Sequence, residues 1–161
     1  MKRAAAVMAA LAIGLGLRAA GAAEYRVRML DQGMNGMMQY DPQLLKIAPG
    51  DTVQFVATDQ GHNVQSIDGM IPNGAKPFSG AVGQSLAVNF TVPGVYGYRC
   101  TPHGSLGMVG LLVVGAPVNE AQAKAAAMPG MAGRVFAKLF DALDLQRTAS
   151  VTYRTTVPTT P

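Results

Sequence analysis

The stretch from residue 94 to residue 114 reads GVYGYRCTPHGSLGMVGLLVV, and it predicts a strand, a short loop and a second strand. Apolar residues occupy both ends, whereas Gly and Pro, which favour turns, interrupt the centre. The central part carries Cys100, His103 and Met108, which include the only cysteine and one of the two histidines of the chain. One short loop therefore brings together a thiol sulfur, an imidazole nitrogen and a thioether sulfur.

These donor atoms favour copper as the bound metal. Two histidines and one cysteine, with a long and weak methionine bond, form the blue-copper electron-transfer site. The loop lacks one histidine of that set, and His62 is the only other histidine in the sequence. Zinc also binds His and Cys, but a thioether ligand suits copper better. The candidate ligands of one copper ion are His62, Cys100, His103 and Met108.

Two simpler interpretations compete with this one. Cys100 alone could be a buried, inert thiol that packs as a small apolar side chain. Met108 alone could be a core residue at the start of the last strand. The joint spacing Cys100-x-x-His103-x-x-x-x-Met108 favours a metal site over both.

The first 23 residues are typical of a secretory signal peptide. Lys2 and Arg3 precede an apolar run over residues 4–17, and small residues at 20–23 form a cleavage site. The alternative, an uncleaved membrane anchor, needs about 20 apolar residues, which is longer than this run. We therefore expect a protein exported to the periplasm, with no membrane attachment after cleavage.

Export affects how the cysteine and the charge are interpreted. Structural cysteines in an oxidising compartment normally pair as disulfides, so a single cysteine indicates either intermolecular pairing or a thiol with a function. The whole chain has a net charge of +4, but residues 24–115 contain five basic and six acidic residues. A nucleic-acid-binding protein needs a basic stripe or patch, and this balance excludes that class.

Alternating apolar and polar residues predict an all-β fold of seven or eight short strands. Alternation occurs at residues 25–30, 52–57 and 86–92, and further strands are predicted at the apolar run 44–48 and at 94–100 and 108–114, with turn residues between them. They favour an antiparallel sandwich or barrel, in which loops distant in sequence meet at one end of the sheets. His62 and Cys100 each follow a strand, so this fold can bring them together.

The sequence after Gly115 predicts two helices and a tail. Asn119, followed three residues later by Gln122, is typical of a helix start, and residues 121–127 favour a helix. A second helix is predicted at residues 134–145, with one apolar stripe that would pack on the sandwich. Residues 24–146 are thus expected to form one domain, and the Thr-rich residues 147–161 a disordered tail.

Three segments carry a resemblance to a known family. They are GDTVQFVATDQGHNV at residues 50–64, GMIPNGA at 69–75 and VPGVYGYRCTPHGSLGMVG at 92–110. The chain resembles, from about residue 23 to residue 145, the pseudoazurins of the cupredoxin family of small blue copper proteins. The resemblance implies a Greek-key β-sandwich with two C-terminal helices, and a type 1 copper centre that carries single electrons and catalyses no reaction.

Roles for individual residues follow from this resemblance. It implies that His62, Cys100 and His103 are equatorial copper ligands and that Met108 is the axial ligand. Asn63 matches a family residue that hydrogen-bonds toward the thiolate and ties two loops together. Gly104 departs from the family, in which an aromatic residue often follows the loop histidine.

The resemblance also implies the partners. They would be a c-type cytochrome and a periplasmic reductase such as nitrite reductase, which dock transiently on a monomer at the exposed edge of His103. The expected apolar surroundings of that edge are Pro102, Leu106, Met38 and Pro72. The family tends to carry a ring of lysines there, whereas the only lysines of residues 24–115 are Lys46 and Lys76, so steering by charge should be weak.

Two other functions are weighed against an electron carrier. Met34, Met37 and Met38 cluster in the sequence, and thioethers bind Cu(I), so a periplasmic copper chaperone or storage protein is the main alternative. A copper enzyme would need a second, histidine-rich centre for its substrate, and both histidines of the chain are already candidate ligands. An enzyme is therefore not expected.

Overall fold

The computed structural model describes residues 21–156, and their side chains as far as residue 148. Within these residues, eight strands form two four-stranded sheets, and two helices follow. The strands are β1 (Glu24–Gly33), β2 (Gly36–Asp41), β3 (Leu44–Ile47), β4 (Thr52–Ala57), β5 (Gln65–Ser66), β6 (Leu86–Asn89), β7 (Gly94–Arg99) and β8 (Val109–Val114). The helices are α1 (Glu120–Ala125) and α2 (Gly130–Thr156).

Each sheet combines antiparallel and parallel pairs. One sheet has the order β2-β1-β4-β6, and the other has the order β3-β8-β7-β5. The predicted β-sandwich is confirmed, but β1 pairs with β4 and β3 pairs with β8 in the parallel sense. The chain crosses between the sheets, so strands that are not consecutive become neighbours and can run in the same direction. This topology brings the loops after β4 and β7 to one end of the sandwich.

Aromatic rings fill much of the space between the two sheets. Six rings form a continuous chain of neighbours, with centroids 4.9 to 5.8 Å apart. Most pairs meet edge to face, a favourable arrangement for aromatic quadrupoles. The rings belong to Tyr40, Tyr98, Phe55, Phe78, Phe90 and Tyr96. Their cluster also contains Cys100 and Met108, so the candidate site lies at one edge of the main core.

The two helices cover the outer face of the second sheet. All six residues of β8 are buried, which explains its uninterrupted apolar sequence, since a strand covered on both faces needs no polar alternation. The predicted apolar stripe of the second helix packs on this face: Phe136, Leu139, Phe140 and Leu143 form a cluster with Val95, Val109, Leu111 and Val113.

The C-terminal helix is longer than predicted. The sequence predicts a disordered tail from Arg147 onward, whereas α2 continues to Thr156. Arg147 pairs with Glu120 and with Asp144, and the Thr148 hydroxyl donates to the carbonyl of Asp144, so polar contacts extend the helix beyond its apolar stripe. Residues 157–161 and residues 1–20 of the predicted signal peptide lie outside the described residues. In the part of the chain that the structure describes, no helix has both the length and the hydropathy to cross a bilayer.

Candidate metal centre

The four candidate ligands meet at one end of the sandwich. His62 lies in the loop between β4 and β5, Cys100 directly follows β7, and Met108 directly precedes β8. Arg99 and Val109 are cross-strand partners, so the antiparallel pairing of β7 and β8 places Cys100 opposite Met108. The Cys100 amide donates to the carbonyl of Met108 at 3.0 Å.

A short 3₁₀ turn at Gly104–Leu106 closes the loop between these strands. Gly107 ends the turn with φ 98°, in the left-handed region that favours glycine. The Met108 amide then donates to the carbonyl of His103 at 3.2 Å. Backbone hydrogen bonds therefore fix the spacing of Cys100, His103 and Met108.

Three donor atoms converge on one point. The Nδ1 atoms of His62 and His103 are 3.1 Å apart, and the Cys100 Sγ lies 3.9 Å from the first and 3.6 Å from the second. The point equidistant from all three lies about 2.1 Å from each of them, and metal–nitrogen and metal–sulfur bonds measure roughly 2.0 to 2.3 Å. These residues therefore fit a metal ion, and Met108 is fully buried in the same cluster as Cys100.

Asp31 is part of this centre, and the sequence analysis did not identify it. Its Oδ1 lies 2.9 Å from the Nε2 of His62. A carboxylate can only accept a hydrogen bond, so Nε2 carries the imidazole proton and Nδ1 faces the other donors. Asp31 is near the end of an ordinary alternating strand, 31 residues before His62, and no local pattern signals this contact.

Asn63 joins the two loops that carry the candidate ligands. Its Oδ1 accepts from the Thr101 amide at 2.7 Å, and its Nδ2 donates to the Thr101 hydroxyl at 3.0 Å. Nδ2 also donates to the carbonyl of Gly80. The predicted role of Asn63 as a tie between two loops is confirmed, and its contact is with the residue that follows Cys100.

Two tyrosines form the inner wall of the site. Burial raises the pKa of Tyr40 well above its ordinary value, and Coulombic interactions with Cys100 and Tyr98 raise it further. Burial also raises the pKa of Tyr98. Both phenols therefore stay protonated at neutral pH, and the Tyr40 hydroxyl donates to the carbonyl of Asn63 at 2.7 Å.

The outer wall of the site is apolar and partly open. His103 is half-buried, Leu106 is exposed, and Leu106 lines a groove with Met37 and Met38. Pro72 does not belong to this surface, because it packs near Gly94 at the opposite end of β7. The stem of Arg99 lies 3.5 Å from where a Cβ on Gly104 would be, so Arg99 packs directly beside Gly104.

Known proteins are similar to this chain in sequence. The family model of copper binding proteins of the plastocyanin/azurin family matches residues 27–115. A pseudoazurin from Methylorubrum extorquens is 50% identical over 111 residues, which cover 69% of this chain and 74% of the relative. This chain belongs to the pseudoazurins of the plastocyanin/azurin family. A pseudoazurin from Paracoccus pantotrophus is 45% identical over 75% of this chain and 85% of its own length.

Solved structures agree with this assignment. A pseudoazurin from Sinorhizobium meliloti superposes with a TM-score of 0.73 at 39% identity, over 75% of this chain and 96% of the other. The structure from Methylobacterium extorquens gives a TM-score of 0.72 at 42% identity. As a pseudoazurin, the chain is a copper-binding electron carrier of the cupredoxin fold, which confirms the fold and the cofactor predicted from the sequence.

Proposed function

We propose that this pseudoazurin carries single electrons between periplasmic redox proteins, with His62, Cys100, His103 and Met108 as the ligands of one type 1 copper ion. The convergence of three donor atoms, 3.1 to 3.9 Å from one another, carries the proposal. Copper, when bound, supplies a Cu(I)/Cu(II) couple that exchanges one electron.

Hydrogen bonds within the chain hold the loops that carry the donor atoms. Asn63 links the His62 loop to Thr101, and backbone hydrogen bonds fix Met108 relative to Cys100 and His103. A site held by such bonds needs little rearrangement when the charge of its ion changes. The protein thereby keeps the barrier to electron transfer low.

Partners would dock where His103 approaches the surface. Leu106 is 63% exposed and Met37 is 72% exposed, and these side chains give this end of the molecule an apolar surface. Small apolar contacts suit short-lived redox encounters, which are at the low end of interface area. We propose a c-type cytochrome as electron donor and a periplasmic reductase, such as nitrite reductase, as acceptor, each binding to the monomer.

We propose that the chain consists of three segments. Residues 1–23 are the signal peptide that directs the chain to the periplasm, and residues 24–146 are the copper-binding domain, including both helices up to the end of the apolar stripe. Residues 147–161 follow this domain, and α2 continues through residue 156. Mass spectrometry of the protein purified from periplasmic extracts tests the cleavage site.

An absorption spectrum of the copper-loaded protein tests the ligand set. We expect an intense visible band from the bond between Cu(II) and the Cys100 thiolate, and Cys100→Ala should abolish it. Met108→Leu serves as the matched variant: it should keep the band and raise the reduction potential, since it removes a weak axial donor. An unchanged visible spectrum in Cys100→Ala would refute the assignment.

Copper storage is a second candidate, and one feature favours it. Met37, Met38 and Met131 line a groove of about 450 Å³ beside the His103 loop, and thioethers bind Cu(I). Lys138 lines the same groove, and its positive charge opposes a bound cation. A titration with Cu(I) separates the two functions. An electron carrier binds one equivalent of Cu(I), whereas a storage protein binds more than one. In a storage protein, the double substitution Met37→Leu/Met131→Leu would abolish the binding of the additional equivalents.

A further inference from the structure

We propose that Asp31 is a positioning residue of the copper centre. It acts through His62, where its carboxylate fixes the tautomer of the ring and stabilises the oxidised state of the bound copper. The inference rests on the proposed function, because it takes His62 as a ligand. Its basis is the 2.9 Å contact between Asp31 Oδ1 and His62 Nε2.

The contact joins a buried ring to an exposed carboxylate. His62 has no exposed side-chain surface, whereas the Asp31 side chain is 62% exposed. The Nε2 of His62 therefore meets a carboxylate at the protein surface instead of water or a backbone carbonyl. The Asp31 carboxylate therefore lies one hydrogen bond away from a candidate ligand.

The strand end that carries Asp31 is held in place. The Asp31 amide donates to Asp59 Oδ2 at 2.7 Å, and the Asp59 amide donates to the carbonyl of Met29 at 3.1 Å. Met29 is also a parallel pairing partner of Ala57 at the end of β4. These bonds connect the end of β1 to the segment that leads to His62, so the same backbone contacts position Asp31 and His62.

The chemistry of imidazole gives the carboxylate two effects. The first concerns the tautomer: a proton held on Nε2 leaves the lone pair of Nδ1 free for the metal, 3.1 Å from the Nδ1 of His103. The second concerns charge: a carboxylate bonded to a ligand histidine makes the ring a stronger electron donor. Cu(II) gains more from a strong donor and a nearby negative charge than Cu(I) does, so Asp31 should lower the reduction potential.

Two substitutions of Asp31 separate these effects. Asp31→Asn keeps an oxygen that can accept from Nε2 but removes the charge, so the reduction potential should rise while the tautomer is kept. Asp31→Ala removes both, so the potential should rise and the proton should redistribute between Nε2 and Nδ1. We expect Asp31→Ala to bind Cu(II) about 10- to 100-fold more weakly, the usual effect of losing such an outer contact.

Asp59→Asn is the matched control. It removes one negative charge from the segment after β4 that contacts Asp31, keeps an oxygen that can accept from the Asp31 amide, and has no described bond to His62. Voltammetry of the three copper-loaded variants should show a larger upward shift in Asp31→Asn than in Asp59→Asn. Equal shifts, or no shift in Asp31→Asn, would overturn the proposal.

Nitrogen-15 NMR of the metal-free protein tests the tautomer without copper. Wild type should show His62 protonated at Nε2, and Asp31→Ala should show a mixture; a wild-type ring protonated at Nδ1 would overturn the inference. Failure of the proposed function is distinguishable, since it would appear as a wild-type protein with no visible band in the presence of Cu(II), whatever the NMR spectrum shows.

Discussion

Gly110 has no side chain because the ring of Tyr98 occupies the space beside it. A Cβ at this position would lie 2.3 to 2.4 Å from three atoms of that tyrosine, much closer than a van der Waals contact. We expect Gly110→Ala to lower the free energy of unfolding by about 1–3 kcal/mol, the usual cost of overpacking. Urea denaturation of the metal-free protein measures this.

Gly104 provides the matched control for that substitution. A Cβ there would meet the stem of Arg99 at 3.5 Å, an ordinary contact. Gly104→Ala should therefore change the free energy of unfolding by no more than about 0.5 kcal/mol. If both variants were equally stable, the packing of Tyr98 on Gly110 would not matter for stability.

Tyr98 and Tyr40 should respond in opposite directions to the loss of a hydroxyl. The Tyr98 hydroxyl is buried, and no hydrogen-bond partner lies near it among the described residues, whereas the Tyr40 hydroxyl donates to Asn63. A buried hydroxyl without a partner costs about 1–3 kcal/mol. Tyr98→Phe should therefore stabilise the metal-free protein, and Tyr40→Phe should destabilise it by about 1 kcal/mol. If thermal unfolding showed that both substitutions stabilise the protein, or that both destabilise it, this expectation would be contradicted.

The same burial gives stability a dependence on alkaline pH. Because burial raises the pKa of Tyr98 above its ordinary value of 10.0, the unfolded chain ionises there at lower pH than the folded protein does. The contribution to stability is complete below pH 10 and is lost as the pH rises above it. Denaturation is measured between pH 8 and pH 11, at about unit intervals. The free energy of unfolding should decline more steeply with pH for wild type than for Tyr98→Phe. Parallel curves would refute this.

At the scale of elements, Asn119 connects α1 to β7. The sequence predicts it as a helix cap, but its side chain makes no cap bond. Instead Oδ1 accepts from the Val95 amide at 2.7 Å, and Nδ2 donates to the Val95 carbonyl at 3.0 Å. Its amide group thus bonds both backbone groups of Val95, as a neighbouring strand would.

Removing this amide should loosen the start of β7. Asn119→Ala leaves two buried backbone groups of Val95 without a partner, so we expect a loss of about 2 kcal/mol or more and faster hydrogen exchange at the Val95 amide. Gln122→Ala, on the same helix, is the control, since it removes only an exposed bond to Gly69. Unchanged exchange at Val95 in Asn119→Ala would show that the contact is dispensable.

The two helices are joined by a cluster of charges. Burial alone would raise the pKa of Glu120, but hydrogen bonds and attraction from Lys124 and Arg147 outweigh it and lower the pKa. A carboxyl whose pKa is depressed on folding stabilises the protein above its ordinary pKa, and the effect disappears as the pH falls through the folded value.

We therefore expect Glu120→Gln to be less stable than wild type by about 0.5–1 kcal/mol at pH 7. The difference should shrink as the pH falls below 4.5, the ordinary value for this carboxyl. Urea denaturation between pH 7 and pH 3, at about unit intervals, follows this change, and Asp141→Asn on the exposed face of α2 is the control. A difference as large at pH 3 as at pH 7 would contradict the ion-pair explanation.

Strands and helices were predictable where a hydrophobic pattern lies within one short segment of the sequence. Alternation predicted β1, β4 and β6, and the apolar stripe predicted the packing of α2. The two-residue strand β5 (Gln65–Ser66) is too short to show a period, and β2 contains consecutive methionines that hide one. The parallel pairings are set by how the chain crosses between sheets, which no single segment encodes.

For the whole molecule, the sequence predicted that His62, Cys100 and His103 come together, but it did not predict every contact that orients them. Cys100, His103 and Met108 share one loop, so their pattern was recognisable, and His62 was the only histidine left. Asp31 escaped prediction because an acidic residue at a strand end is common, and only the pairing of β1 with β4 brings it to His62. Contacts between distant elements are the part of the site that depends on the fold.

The surface charge of the domain leads to the last prediction. Between residues 24 and 115 the basic residues are Arg26, Arg28, Lys46, Lys76 and Arg99, against six acidic residues, a balance of −1. Such a surface steers a charged partner weakly, whereas strong steering accelerates association 10- to 1000-fold and collapses as salt screens it. The exposed apolar side chains near His103 should then dominate docking.

We therefore expect electron transfer with a c-type cytochrome to change less than about threefold between roughly 20 mM and 200 mM salt, as followed by stopped-flow absorption. Leu106→Ala should slow the bimolecular rate more than Lys46→Gln does, because Leu106 is 63% exposed on the proposed docking surface. A steep decline of the rate with salt, together with a larger effect of Lys46→Gln, would mean that charge guides docking after all.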